Sequence, residues 1–315
     1  MLPYDSGMTA SVFVVVNPAA GSGRGRALWP RLANRLHALG IDYEFEGTQG
    51  PLSAESFTRQ ALRRGVETVV AVGGDGTFNE VVNGFFSDGV PTRAGATLLM
   101  VPAGSSSDIA RGLGLPMGTA ALELLRHGQI KEIDLGRADY LFQDRPMQRY
   151  FLNQADVGIG AQIAERAAAL KLLGGTAAFF LATVPTLIDP RAWSGSIQLD
   201  GEKTESVRAL SAVVALGPFA GGGMRTAPGA RWDDGLFDVV AIGEMSSAEL
   251  LVQFPRVYLG THLTHPKVAH WQAQTVEIET QDLPGVELDG EVVQATSPFR
   301  FSLLPNALRA HLPLP

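Results

Sequence analysis

The chain has 315 residues, a net charge of −7, 45% hydrophobic content and no cysteine. At roughly 150 residues per domain, that length suits about two domains with apolar residues enough for two cores. The missing cysteines exclude disulfides, thiolate catalysis and a Cys-ligated zinc site, and the acidic balance argues against a general nucleic-acid binder, which neutralises phosphates with a basic face.

No Lys or Arg precedes Arg24, and the first apolar run, Val12 to Val16, is too short for a secretory signal, so a cytoplasmic location is expected. That run reads as a buried strand. Asn17-Pro18-Ala19-Ala20-Gly21-Ser22-Gly23-Arg24-Gly25 follows as a small-residue loop, and Leu28, Leu32, Leu36 and Leu39 predict an amphipathic helix near 25–39 that Gly40 would cap. The loop lacks the Gly-Lys-Ser/Thr ending of a Walker A sequence, and Gly-x-Gly-x-Gly alone is a weak dinucleotide signal.

A strand near 41–46 and a helix near 53–64 lead to the most informative segment, residues 67–84. Here Val69, Val70 and Val72 read as a buried strand, while Gly73, Gly74 and Gly76 let the backbone approach a ligand. Thr77 is expected to start a helix, near 77–86, whose N-terminal amides face an anion. Asp75 would repel a phosphate there unless a cation intervened, which points to Mg²⁺ or proton handling. A third strand-loop-helix unit runs from Thr97 to Arg111, where Ser105, Ser106, Ser107 and Asp108 can bind phosphate or cap a helix. Taken singly, the capping reading is preferred. A further helix is expected near 117–127.

This alternation indicates α/β with a largely parallel sheet, and all three glycine-rich loops fall at the carboxyl ends of strands, where such sheets bind ligands. After about residue 135 the pattern becomes β-rich, with strands expected near 149–156, 194–200, 207–216, 236–242, 274–280 and 286–293, and with inserted helices. Leu172 to Ile188 is uncharged but broken by Gly174-Gly175 and Pro185, so buried helices are expected rather than a span, which needs about 20 apolar residues. Gly221-Gly222-Gly223 suits a mobile or a plain loop. His262 and His265 are three apart, but Pro266 interrupts any helix that would bring them and His270 to a metal. In Val286 to Val293, Asp289 and Glu291 would share a face of an extended segment, and one of two close carboxyls should be raised in pKa, as suits a general base. Taken alone, a β-turn with two solvated acids is the preferred reading.

Together these segments resemble the catalytic domain of the diacylglycerol kinase and sphingosine kinase family, over nearly the whole chain. Asn17-Pro18 to Gly25 is similar to the family's first nucleotide loop, Gly73 to Thr77 to its Gly-Gly-Asp-Gly-Thr signature, and Asn79-Glu80-Val81-Val82-Asn83-Gly84 to the usual continuation. Gly104 to Arg111 resembles Gly-Thr-x-Asn-Asp-hydrophobic-Ala-Arg, with Ser105 in place of Thr and Ser107 in place of the first Asn. Further marks are Ile133-Asp134-Leu135-Gly136, Phe151 to Gly160, Ala230 to Asp238, and Asp289-Gly290-Glu291.

The resemblance implies an α/β nucleotide-binding domain (1–137 with 298–315), a β-rich, sandwich-like lipid-acceptor domain (138–297) and a cleft between them. It implies ATP held by Asn17, Gly21, Ser22, Arg24, Thr48, Gly73, Gly74, Gly76, Thr77 and Ser105. By the same resemblance Mg²⁺ would rest on Asp234 with carbonyls of Arg231 and Leu236, Asp134 would sit near the acceptor head, and Asp289, Glu291 and Asp75 would share the catalytic work. The implied activity is ATP-dependent phosphorylation of diacylglycerol or a related lipid. An NAD kinase-like transfer to a soluble acceptor and an inactive lipid- or nucleotide-binding regulator are the alternatives. A membrane-held substrate implies peripheral bilayer contact, through apolar residues or a local basic cluster for which Arg137, Arg145, Arg149 and Arg166 are candidates. Nucleic acid is not an expected partner, and a homodimer stays open.

Overall fold

The computed structural model describes residues 11–87, 89–104, 107–170, 175–282 and 285–314. The chain divides into two compact units, one of Met1–Ala103, Gly114–Lys131 and Arg309–Pro315, the other of Gly104–Leu113 and Glu132–Leu308.

The first unit alternates β1 (Val12–Val16), α1 (Ala20–Ala38), β2 (Tyr43–Gly47), α2 (Ser53–Arg63), β3 (Thr68–Gly73), α3 (Asp75–Gly84), a short hairpin of β4 (Phe86–Ser87) and β5 (Val90–Pro91), and β6 (Thr97–Pro102). β1 is buried at all five positions and β6 at all six, the signature of parallel strands covered on both faces. α2 buries Ala54, Thr58, Ala61 and Leu62, one helical stripe. β1 pairs in parallel with β2 on one side and β3 on the other, and β3 pairs with β6. The chain therefore leaves the carboxyl ends of β1 and β3 in opposite directions, which creates a topological switch point between them.

α4 (Asp108–Gly112) clusters with the second unit, because Asp108 accepts from the Gly222 N–H and Gly112 lies against Trp232. In the first unit a 3₁₀ turn (Gly118–Glu123) and α5 (Leu124–His127) stand where one helix was expected. The second unit then contains β7 (Gln129–Phe142), which starts in the first unit, β8 (Arg145–Phe151), β9 (Gln154–Gly158), α6 (Ile159–Ala169), α7 (Gly175–Ile188), β10 (Trp193–Leu199), β11 (Lys203–Ala215), β12 (Phe237–Gly243) and α8 (Ser247–Leu259). β13 (Val268–Ala273), β14 (Thr275–Thr280), β15 (Val286–Leu288), β16 (Glu291–Val293) and β17 (Thr296–Leu312) complete it. There β11 pairs antiparallel with β9, β10 and β12, and β15 pairs antiparallel with β9 and β16. From Arg309, β17 belongs to the first unit, where Arg309 and Ala310 pair in parallel with Thr97 and Leu98.

Several expectations change. The sequence reading held no strand for β7, whose hairpin turns at Gln143 and Asp144, both at positive φ without a glycine to signal it. α8 is announced by a capping box between Ser246 and Glu249 and ended by left-handed Gly260. α7 is not wholly buried: Ala182, Thr186 and Leu187 face inward, whereas Leu181 and Ile188 are exposed. No described helix is long and apolar enough to cross a membrane.

Candidate active site

The glycine-rich loops of the first unit meet. Asn17 Nδ2 donates to Thr77 Oγ1 at 2.9 Å, the Asn17 N–H reaches Val72 O at 2.9 Å, and the Ala103 N–H reaches Gly73 O at 2.8 Å. A Cβ on Gly21 would stand 2.4 Å from Ala103 O, so the first loop lies against the third as well. These contacts span the carboxyl ends of β1, β3 and β6, across the switch point. Thr48 joins them through its N–H on Val16 O at 2.8 Å.

The local backbone has the form of an anion cradle. α1 is broken in its first turn, where Gly21, Ser22 and Gly23 take φ of 58, 59 and 95° after right-handed Ala19. Successive right- and left-handed residues turn backbone N–H groups toward one point. Helix α3 starts at Asp75 with Gly74 as its N-cap, two residues earlier than expected, so its first amides face the same end of the sheet. Thr77 is therefore not the cap; its hydroxyl accepts from Asn17 and stitches two loops together. Ser22 and Arg24 are exposed beside the break, and Asp75, Gly74 and Gly76 are partly buried. Ser105 lies outside the described residues. Ser107 occupies the N-cap of α4 with its Oγ buried and no hydrogen-bond partner among the described residues, so the capping reading of this loop is not realised there.

In the second unit, Asp289 and Glu291 do not share an extended face. Asp289 and Gly290 take φ of 51 and 85° and form the two-residue turn between β15 and β16. Asp289 is buried, and its carboxylate accepts from the backbone N–H groups of Leu152 (2.7 Å), Asn153 (2.8 Å) and Gln154 (3.0 Å). Glu291 begins β16 and is exposed. The two acids thus have different surroundings, one ordering a loop and one open to solvent.

Two buried carboxyls that the sequence reading did not single out stand behind this turn. Glu287 of β15 and Asp156 of β9 are register partners. Burial pushes Asp156 up to about 6, against donation from the Ser211 hydroxyl and the Gly160 N–H. Burial, then the charge of Asp156, holds Glu287 well above the usual carboxylate range, although the Gly290 N–H donates to it. The raised carboxyl seen in this segment is Glu287, a residue outside the Asp289 and Glu291 pair of which one was expected to be raised. Its sequence signal was the run Glu-x-Asp-x-Glu, but only the pairing with β9 reveals Asp156 opposite it.

Asp134 is 1% exposed, accepting from the N–H groups of Gly235 (2.9 Å) and Asn306 (2.8 Å). It clamps two loops, one of which carries Asp234. Asp234 is exposed, with Oδ1 accepting from Leu236 N–H at 3.2 Å, and Arg231 pairs with Asp233 at 3.1 Å. Partial burial raises the Asp234 pKa, opposed by the Leu236 N–H and reinforced by Asp238 and Asp134. Such an oxygen-rich, negative setting suits a hard cation. Among the described residues no group of three His, Cys, Asp or Glu side chains could hold a metal, so Mg²⁺ here would rest on one carboxylate, backbone carbonyls and water. The histidines separate: His262 faces Thr226 O, His265 accepts from Lys267 N–H, and His270 meets Asp238 at 2.6 Å. Gly221, Gly222 and Gly223, at φ of 58, 85 and 111°, form a tight turn whose Gly222 N–H donates to buried Asp108 at 2.7 Å. Asp108 also pairs with Arg111 at 2.7 Å, a clamping role that a single serine-rich loop gave no means to foresee.

Comparisons with known proteins agree with this architecture. The family model described as the diacylglycerol kinase catalytic domain matches residues 11–138, and the one described as the YegS C-terminal NAD kinase beta sandwich-like domain matches residues 153–311. A Chromohalobacter salexigens protein named "Probable lipid kinase YegS-like" is 32% identical over 281 residues, covering 88% of this chain and 85% of its own. A Staphylococcus carnosus diacylglycerol kinase is 26% identical, with 88% and 87% covered. Among solved structures, a diacylglycerol kinase from Bacillus anthracis superposes with a TM-score of 0.70 at 22% identity, covering 96% of both chains. Yeast NADH kinase has a TM-score of 0.56 at 13% identity over 96% of this chain and 83% of its own, a likeness of fold alone.

Proposed function

The chain belongs to the diacylglycerol kinase catalytic-domain family of lipid kinases, and from that premise we propose that it moves the γ-phosphate of ATP to the free hydroxyl of diacylglycerol or a closely related lipid. The observation that carries the nucleotide half is the Asn17–Thr77 bond, which joins two glycine-rich loops over the switch point of a parallel sheet. In this reading ATP is held by Asn17, Gly21, Ser22, Arg24, Thr48, Gly73, Gly74, Gly76, Thr77 and Ser105. Backbone N–H groups of the broken first turn and of the α3 N-terminus would meet the phosphates.

Phosphoryl transfer depends on positioning and on an acceptor that loses its proton. Glu291 is our choice for the base, because it is exposed, while Asp289 already accepts three backbone N–H groups. Asp289 then acts by holding the turn. Asp75 would orient water beside the transferred phosphate. A bound Mg²⁺ would neutralise charge on phosphate oxygens, with Asp234 and the carbonyls of Arg231 and Leu236 as its holders. A lipid acceptor calls for peripheral contact with a bilayer, and exposed Leu181 and Ile188 on uncharged α7 are candidates for it.

The test incubates purified protein with Mg²⁺, γ-labelled ATP and a panel of diacylglycerol, sphingosine-type, ceramide and polyprenol acceptors plus NAD. Label in diacylglycerol is the expected result. Label in NAD alone, or ATP binding with no labelled acceptor, overturns the reading.

A further inference from the structure

The buried acid pair has no part in the mechanism above, yet its geometry leads to the turn that carries Glu291. Glu287 and Asp156 oppose each other across the β9–β15 pair, 9% and 7% exposed. Asp156 is held by the Ser211 hydroxyl from β11 and by the Gly160 N–H at 3.3 Å. Glu287 Oε2 accepts from the Gly290 N–H, inside the turn itself. We propose that Glu287 is a positioning residue for phosphoryl transfer: buried opposite Asp156, its carboxyl anchors the Gly290 amide and so sets the direction of Glu291. The proposal rests on the kinase reading above, whereas the anchoring of Gly290 by Glu287 is read independently of it.

Like charges directly opposite in an antiparallel pair repel, and burial sharpens the repulsion. A proton held on one of the two carboxyls removes it. The charged groups around Glu287 offer no other relief. Asp289 in the turn and Glu291 on β16 are both acidic and both raise its pKa. Overhead, α6 carries exposed Glu165 and Arg166, and Arg166 is bonded to Thr186 at 2.7 Å. No Lys or Arg among the described residues makes a salt bridge with either carboxyl. Losing the proton would thus strain β15 against β9 and shift the turn.

Glutamine at this position copies the protonated acid, because its amide donates toward Asp156 while its oxygen accepts from Gly290. The experiment measures kcat and KM for ATP against pH, together with the amide NMR shift of Gly290, in wild type, Glu287→Gln and Glu287→Ala. Wild-type kcat should fall on the alkaline side by about tenfold, and Gly290 should titrate with the same midpoint. Glu287→Gln should lose both the fall and the Gly290 titration. Glu287→Ala should lower kcat by about tenfold with KM for ATP within about twofold, a deficit that Gln rescues. If Glu287→Ala does not fold, Glu287→Gln and Asp156→Asn carry the test, and Asp156→Asn should also remove the alkaline fall. Wild-type kcat in folded Glu287→Ala, or an alkaline fall unchanged in Glu287→Gln, overturns the proposal. An absence of lipid phosphorylation with the Gly290 titration intact in wild type overturns the kinase reading and the positioning role with it, and leaves only the Glu287–Gly290 anchor standing.

Discussion

Replacing Asp289 by Asn separates holding the loop from taking the proton. In the wild type, Oδ1 accepts from Asn153 and Gln154 and Oδ2 from Leu152, at 2.7 to 3.0 Å, in a buried setting. If the Asn oxygen stays on the first two donors, its NH₂ faces the Leu152 N–H, donor against donor. One charge-assisted bond is lost and two are weakened, a cost of about 2–3 kcal/mol. For a domain of this size, that lowers the melting temperature by about 4–12 °C, taking about 2–4 °C per kcal/mol. Asp289→Ala strips all three N–H groups of their acceptor and should cost roughly 4–6 kcal/mol, a large share of a typical domain's stability. Calorimetry and lipid phosphorylation on the same preparations provide the assay. Asp289→Asn should melt low and lose most transfer, whereas Glu291→Gln, changed at an exposed position, should melt within about 1 °C of wild type and lose transfer outright. An Asp289→Asn variant that melts like wild type while transfer vanishes would refute the division of labour and make Asp289 the base.

Asn17→Ala removes the bond to Thr77 and the contact with the Ala19 N–H, and should raise KM for ATP by about tenfold with a smaller change in kcat, read from initial rates. Gly21→Ala forces a side chain onto a residue at φ 58° and 2.4 Å from Ala103 O, so isothermal titration should show ATP binding weakened by at least about tenfold; unchanged affinity would remove Gly21 from the cradle. The Asp156 carboxyl, raised from 3.8 to about 6, binds more protons folded than unfolded between those values, so stability is complete below about pH 4 and declines as pH rises through about 6. A shift of that size corresponds to about 3 kcal/mol, shared with Glu287 as a coupled pair. Denaturant melts across this window should show Asp156→Asn with a flatter profile, and a wild-type slope retained by the variant would exclude the pair as its source.

What could be read from the chain alone is what depends on near neighbours. Runs such as Val12–Val16 and Thr68–Gly73 declare buried strands, and Gly21–Gly25 and Gly73–Thr77 declare close-approach loops, because each signal and its cause lie within one strand-loop-helix unit. The α/β and β-rich halves follow for the same reason. The charge state and duty of each acid do not. Asp289 meets its donors from 135 to 137 residues away, Asp156 meets Ser211 55 residues on and faces Glu287 only through strand pairing, and Asp134 is bound by Asn306 at a separation of 172. A carboxyl is a base, a clamp or a proton store according to its burial and the donors around it, and those are properties of packing that no local run of residues encodes.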